Sequence, residues 1–233
     1  MLNLSSSLTH LFPPKCLLCS MPLKLSGNHL CMYCENSLPY IQTGCSQCST
    51  PMQIDEEFCG ACLITERYWQ TCIAPFIYQP PISNFIHEFK FQNKKNHLAF
   101  FTQCMKLLAA ESDQEMPDYL TFVPSHPKRF SQRGYNQSFK LTQALSKIID
   151  IPYIDSFDKI LETPPQISLS KKDRSTQLKN TFVIKDKSII DIKNKHIAII
   201  DDVVTTGSTS SELARILKIA KAARVDVWCI ART

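Results

Sequence analysis

Four Cys-x-x-Cys pairs occupy the first part of this 233-residue chain: Cys16/Cys19, Cys31/Cys34, Cys45/Cys48 and Cys59/Cys62, with spacers of 11, 10 and 10 residues. Each pair can turn on a tight knuckle and offer two thiolates to one tetrahedral ion, at Zn–S distances of about 2.3 Å. Eight ligands suit two zinc ions, and four protein ligands with no open position make a structural site. Sequential closure, Cys16/Cys19/Cys31/Cys34 and then Cys45/Cys48/Cys59/Cys62, forms the shortest loops at the lowest entropy cost. A crossed arrangement would use the same ligands. A disulfide scaffold needs an oxidising compartment, and the start of the chain lacks the basic and apolar stretches of a secretory signal. Iron–sulfur sites use other clustered spacings, and a redox dithiol needs one pair rather than four. His29 is read as a loop residue, because every pair is complete without it. Few long apolar periodic stretches accompany the cysteines, so the metals are expected to stand in for a hydrophobic core there.

Charge separates this region from the rest. Up to residue 75 the basic side chains are Lys15, Lys24 and Arg67, and the acidic ones are Glu35, Asp55, Glu56, Glu57 and Glu66, a net of −2. The whole chain carries +5, so the remainder carries +7. An excess of this kind is a solvated basic surface or an attraction for phosphates. Residues 1–66 are expected to form a zinc-ribbon module and 76–233 a second domain. The break falls in 63–75, where the pairs stop and Pro75 precedes a short strand at Phe76-Ile77-Tyr78. Helical spacing of apolar residues predicts helices around Leu98/Phe101/Met105/Leu108, Leu141/Ala144/Leu145/Ile148 and Leu213/Ile216/Leu217/Ala220. Strands are expected at Tyr119–Val123, ending at Ile160-Leu161, at Thr181–Ile184, at Ile197–Ile200 and at Val225–Ile230. This alternation implies an α/β fold with a parallel sheet flanked by helices, and ligands at the carboxyl ends of its strands. No run approaches the length of a membrane-spanning helix.

The most informative segment of the second domain is Ile197-Ala-Ile-Ile-Asp201-Asp202-Val-Val-Thr205-Thr206-Gly207-Ser208-Thr209. An apolar strand leads into two acids, then small hydroxyl residues and a glycine, then a helix. Gly207 lets the backbone approach a phosphate, and the N–H groups and dipole at the helix start favour an anion. Thr205, Thr206, Ser208 and Thr209 add hydroxyl donors. Asp201 and Asp202 suit ribose hydroxyls and, through water, Mg²⁺. An ordinary N-cap would account for one hydroxyl, not four, nor for paired acids. The Gly-Lys-Ser/Thr of a Walker loop is absent. The pattern resembles the phosphoribosyl-pyrophosphate (PRPP) signature of type I phosphoribosyltransferases.

Further segments extend the resemblance: Phe89-Lys90-Phe91, Val123-Pro124-Ser125-His126-Pro127-Lys128-Arg129, Arg133-Gly134-Tyr135-Asn136-Gln137 and Thr163-Pro164-Pro165-Gln166. With the cysteine series and the Asp201–Thr209 loop they run in the order of the ComF family, and on them the chain is identified as a member of that family. The resemblance implies a type I phosphoribosyltransferase-like parallel sheet flanked by helices, preceded by a small double zinc-ribbon module. It places pyrophosphate against Ser125, His126, Lys128 and Arg129. It makes 163–179 a lid that carries Lys171, Lys172 and Arg174, whose closure would exclude water. It implies a role in natural transformation, cytoplasmic or peripheral at the inner membrane, beside DNA-uptake machinery and recombination proteins. Related amidotransferases carry a nucleophilic cysteine next to the start. This chain opens Met1-Leu2, so glutamine-dependent ammonia transfer is not expected, and no segment reads as a base or amine pocket.

Between residues 85 and 140 aromatic and basic residues interleave, and aromatic faces can stack bases while cations track a backbone. Lys90, Lys94, Lys95, Arg129, Arg133, Tyr135 and Lys140 are the candidate contacts for single-stranded DNA. Phe89, Phe101 and Phe139 read better as core residues. Two other functions stay open: phosphoribosyl transfer to an unknown acceptor, and regulation by PRPP sensing.

Overall fold

The computed structural model describes residues 13–23, 27–53, 56–92, 94–111, 114–125, 134–159 and 181–233. The expectations for Ile160-Leu161, for the lid at 163–179 and for 126–133 lie outside these residues.

The two most apolar segments form the centre of the sheet. β6 (His196–Val204) and β7 (Arg224–Arg232) pair in parallel, with Ile199 opposite Val227. Both are almost wholly buried, as strands covered on both faces must be. β3 (Tyr119–Phe122) adds in parallel to the outer side of β6. On the outer side of β7 lie β1 (Cys72–Ile73) and β2 (Phe76–Ile77), two halves of one edge interrupted at Ala74-Pro75. Pro75 thus breaks an edge strand, where a missing N–H costs least. The sheet begins at Cys72, inside the stretch 63–75 in which the sequence suggested a break. β4 (Phe157–Lys159) and β5 (Phe182–Ile184) form a separate antiparallel pair, so the strand expected at Thr181–Ile184 is not part of the parallel sheet.

Side-chain alternation along the central strands divides the interior into two cores. On one face Ala198, Ile200, Trp228 and Ile230 meet α3 (Ile82–Gln92), α4 (Lys95–Glu111) and α5 (Gln137–Ile149). On the other, Ile197, Ile199, Val225, Val227 and Cys229 meet α6 (Ile189–Ile192), α7 (Ser208–Ile219) and the β4–β5 pair. Burying each such Ile or Val contributes about 1.5–3 kcal/mol. The helical stripes largely match the spacing in the sequence: Phe101 and Met105, Leu141 and Leu145, Leu213 and Leu217 are buried. Ile148 is an exception and faces solvent, while Ile149 packs against the core.

The cysteine region does not stand apart from these cores. Cys16, Leu23, Leu30 and Leu38 belong to the first core, and Cys45, Cys48 and Trp69 to the second. The expectation that metals stand in for a hydrophobic core in residues 1–75 is therefore corrected. The segment has too few apolar residues for a core of its own, and it completes the two cores of the sheet instead. His29, read as a loop residue, sets its ring edge-on to Phe100, and burial lowers its pKa.

Candidate functional site

The two knuckles repeat each other. Cys16 and Cys45 each donate an N–H across the turn, to the carbonyls of Met21 and Thr50. Ser20 and Ser49 each follow the second cysteine with positive φ, and short bridges close the turns at Lys15–Pro22 and Gly44–Pro51. Cys31 and Cys59 each cap a five-residue helix, α1 (Met32–Asn36) and α2 (Gly60–Ile64). The result is two groups, Cys16/Cys19/Cys31/Cys34 and Cys45/Cys48/Cys59/Cys62, each with its sulfurs within 4.8 Å of one another. This is the sequential arrangement.

The chemistry of each group fits one tetrahedral ion. Zinc–sulfur bonds of about 2.3 Å imply S···S edges near 3.8 Å. Cys19 and Cys31 lie 3.7 Å apart, and Cys48 and Cys59 3.6 Å apart. Four thiols this close conflict when they ionise alone. Burial, with neighbouring thiols, pushes Cys34 and Cys62 up. Burial also opposes ionisation of Cys16 and Cys48, but there hydrogen bonds outweigh it. Backbone N–H donors bring Cys16 to about 6, and Thr50 together with Cys62 and Arg232 brings Cys48 to about 6. A divalent cation among the four sulfurs would remove the conflict.

The Thr205–Thr209 loop follows the end of β6. That strand continues beyond Ile200, pairing Asp201 with Cys229 and Val204 with Arg232, so both acids are held in the sheet rather than in the turn. Gly207 adopts φ 74° and precedes α7, whose first residues are Ser208 and Thr209. The Thr206 hydroxyl lies 2.9 Å from that of Ser208 and accepts the Ser208 N–H at 3.4 Å. Asp201 accepts the Ser138 hydroxyl at 3.1 Å and the Asp202 N–H at 2.8 Å. Burial and then the adjacent Asp202 charge raise its carboxyl to about 7. Lys90 places its ammonium 2.8 Å from Asp202. Burial works against the Lys90 charge, but Asp202 and Asp201 outweigh it and raise its pKa.

Separate motifs meet here because short contacts dock them on one another. The Tyr135 hydroxyl donates to the Phe89 carbonyl, and Gln137 donates to that of Lys90 at 3.2 Å. Asn136 caps α5 by accepting the Phe139 N–H, and it also donates to Val123 at the end of β3. Ser125 borders a cavity of about 360 Å³ shared with Asn136, Asp155, Asp158 and Lys185.

The candidate DNA contacts scatter. Lys90 faces the acidic pair, Lys94 pairs with Glu88 at 2.5 Å, and Lys95 is exposed at the start of α4. The Lys140 ammonium lies 3.8 Å from the centre of the Tyr135 ring. His126, Lys128, Arg129, Arg133, Lys171, Lys172 and Arg174 lie outside the described residues. Phe89 and Phe101 are core residues, and Phe139 packs 4.9 Å from Phe122 and 5.8 Å from Tyr153. Sequence reasoning missed Ser138, Arg67, Trp69 and Arg232, all of which touch the loop or its acids. Only Ser138 carried a signal, its place directly after the Arg133–Gln137 motif.

Among known proteins, residues 7–63 match the double zinc ribbon domain family. DNA utilization protein YhgH of Escherichia coli K12 is 33% identical over 226 residues, covering 95% of this chain and 98% of that protein. Competence protein F of Haemophilus influenzae is 32% identical over 226 residues, covering 94% and 96%. Among solved structures, glutamine PRPP amidotransferase from B. subtilis overlaps with a TM-score of 0.39 at 22% identity, over 57% of this chain and 26% of that one. Nearly full-length similarity to the first two, carried through both the cysteine series and the α/β part, makes this chain a member of the ComF family of competence proteins.

Proposed function

We propose that the chain is a DNA-handling protein of natural transformation that binds single-stranded DNA and carries a PRPP–Mg²⁺ site at Asp201–Thr209. The observation that carries the phosphoribosyl part is the convergence on one strand end. Lys90 and Ser138 reach the paired acids, and the hydroxyl turn leads through a positive-φ glycine into a helix. In this reading Thr205, Thr206, Ser208 and Thr209 bind the 5′-phosphate, with the start of α7 supplying the positive end of its dipole. Asp202, and Asp201 once ionised, accept ribose hydroxyls and hold Mg²⁺ through water. Lys90 balances the acids without ligand and is free to turn to a phosphate when Mg²⁺ replaces it. The DNA part is supported by the names of the relatives, which tie them to DNA utilization and competence. It is supported also by the +7 carried beyond residue 75.

Calorimetry with PRPP–Mg²⁺ and with a single-stranded oligonucleotide, separately and then together, tests both parts. We expect saturable PRPP binding that is lost in Asp201→Ala/Asp202→Ala. We expect submicromolar oligonucleotide binding that weakens steeply with salt. Absence of PRPP binding sinks the phosphoribosyl part, and salt-independent or undetectable oligonucleotide binding sinks the other. Pyrophosphate release from PRPP with an added amine or nucleobase would move the reading to a transferase. PRPP binding that alters oligonucleotide affinity would move it to a sensor.

A further inference from the structure

The second cysteine cluster reaches the back of the phosphate loop by two routes, with a third side chain bracing one of them, all outside the loop signature. The first is Arg232, the last residue of β7 and only 4% exposed. Its Nε donates to the carbonyl of Cys48, a cluster ligand, at 2.9 Å. Its Nη1 donates to the carbonyls of Val204, at 3.0 Å, and of Thr205. The second is Trp69, 1% exposed, whose indole N–H donates at 3.1 Å to Gln47, inside the Cys45/Cys48 knuckle. Its ring covers Gly207 so closely that a Cβ there would stand 2.6 Å from Cη2. Arg67 braces the second route: it donates to the Thr206 carbonyl at 2.8 Å and lies over the Trp69 ring at 5.1 Å.

Consecutive carbonyls at Val204, Thr205 and Thr206 are thus held by guanidinium groups. A trans peptide is planar with its C=O and N–H antiparallel. Fixing the carbonyls of Thr205 and Thr206 therefore points the N–H groups of Thr206 and Gly207 each away from the guanidinium that holds its own peptide. Neither N–H donates to a backbone carbonyl among the described residues. An anion site of this kind depends on such groups being aimed in advance. The first cluster packs against the opposite face of the sheet, with Phe100 and Phe76.

We propose that the metal-loaded second cluster fixes the phosphate loop from behind. Arg232, Arg67 and Trp69 are the positioning residues, and loss of that ion loosens the loop and weakens anion binding. The effect on affinity rests on the loop being a phosphate site, whereas the effect on loop mobility does not. The test compares full-length Cys62→Ser with Cys34→Ser, with zinc content measured in each. Loop mobility is read by hydrogen exchange of peptides spanning 203–210, and binding by titration with PRPP–Mg²⁺. In Cys62→Ser, loop exchange is expected to accelerate about tenfold, with a parallel loss of affinity. In Cys34→Ser both should stay near wild type. Unchanged loop exchange after loss of the second ion, or an equal rise after loss of the first, overturns the proposal. If Cys62→Ser does not fold, Arg232→Lys with both ions retained carries the test. Lysine keeps the charge but cannot span Cys48, Val204 and Thr205 together. The same acceleration is expected there, and its absence overturns the proposal. Failure of wild type to bind PRPP sinks only the functional reading, since loop exchange still decides the coupling.

Discussion

At the scale of single residues, charge at the site is balanced within the protein itself. Asp201 and Asp202 are neighbours in one strand, and Lys90 from α3 supplies the counter-charge at 2.8 Å. Removing one member of a sequestered pair leaves the other partly uncompensated. Lys90→Met is therefore expected to lower stability at pH 8 by about 1–3 kcal/mol, since the pair is only partly desolvated. Urea unfolding of the two proteins checks this, and an unchanged midpoint would make the contact a solvent-screened one. The adjacent acids at the end of an apolar strand were legible in the sequence. Their counter-ion was not, because Lys90 is far from Asp202 in sequence and meets it only through the docking of α3 on the Tyr135–Gln137 segment.

At the scale of elements, the turn from β6 into α7 is fixed by its glycine. Gly207 has φ 74°, which L side chains rarely adopt, and the space where a Cβ would stand is filled by Trp69. Gly207→Ala combines backbone strain with overpacking and is expected to cost roughly 2–4 kcal/mol. Trp69 fluorescence should change in the folded state. Equal stability and unchanged fluorescence would show that the indole moves aside freely. The long periodic elements were legible, because a buried stripe must repeat every 3.6 residues and a doubly covered strand must be apolar throughout. β1 was not, since two residues carry no period and Cys72-Ile73 gains its identity only by pairing with Val227-Trp228.

At the scale of the whole molecule, the cysteine clusters close the two cores rather than forming an appendage. Cys16 belongs to the core under α3 and α4, and Cys45 and Cys48 to the core under α7. Stripping metal with a chelator is therefore expected to lower the melting temperature of the entire chain, by about 5–10 °C or more. The zinc-loaded protein should melt in one transition. A separate ribbon transition, with the α/β part unmoved by chelation, would contradict this.

Residue type and spacing alone specify which sulfurs suit metals, where paired acids and small hydroxyl residues follow an apolar strand, and which stripes must be buried. These are local properties of spacing and residue type, written within about a dozen positions of one another. The packed fold makes the clusters continuous with the cores. It also decided that Lys90 and Ser138 face the paired acids, and that Arg67, Trp69 and Arg232 grip the loop from behind. Those contacts join residues 27 to 139 positions apart, through a sheet whose strand order is not the chain order. No local pattern encodes them, because each pair meets only when both cores are packed.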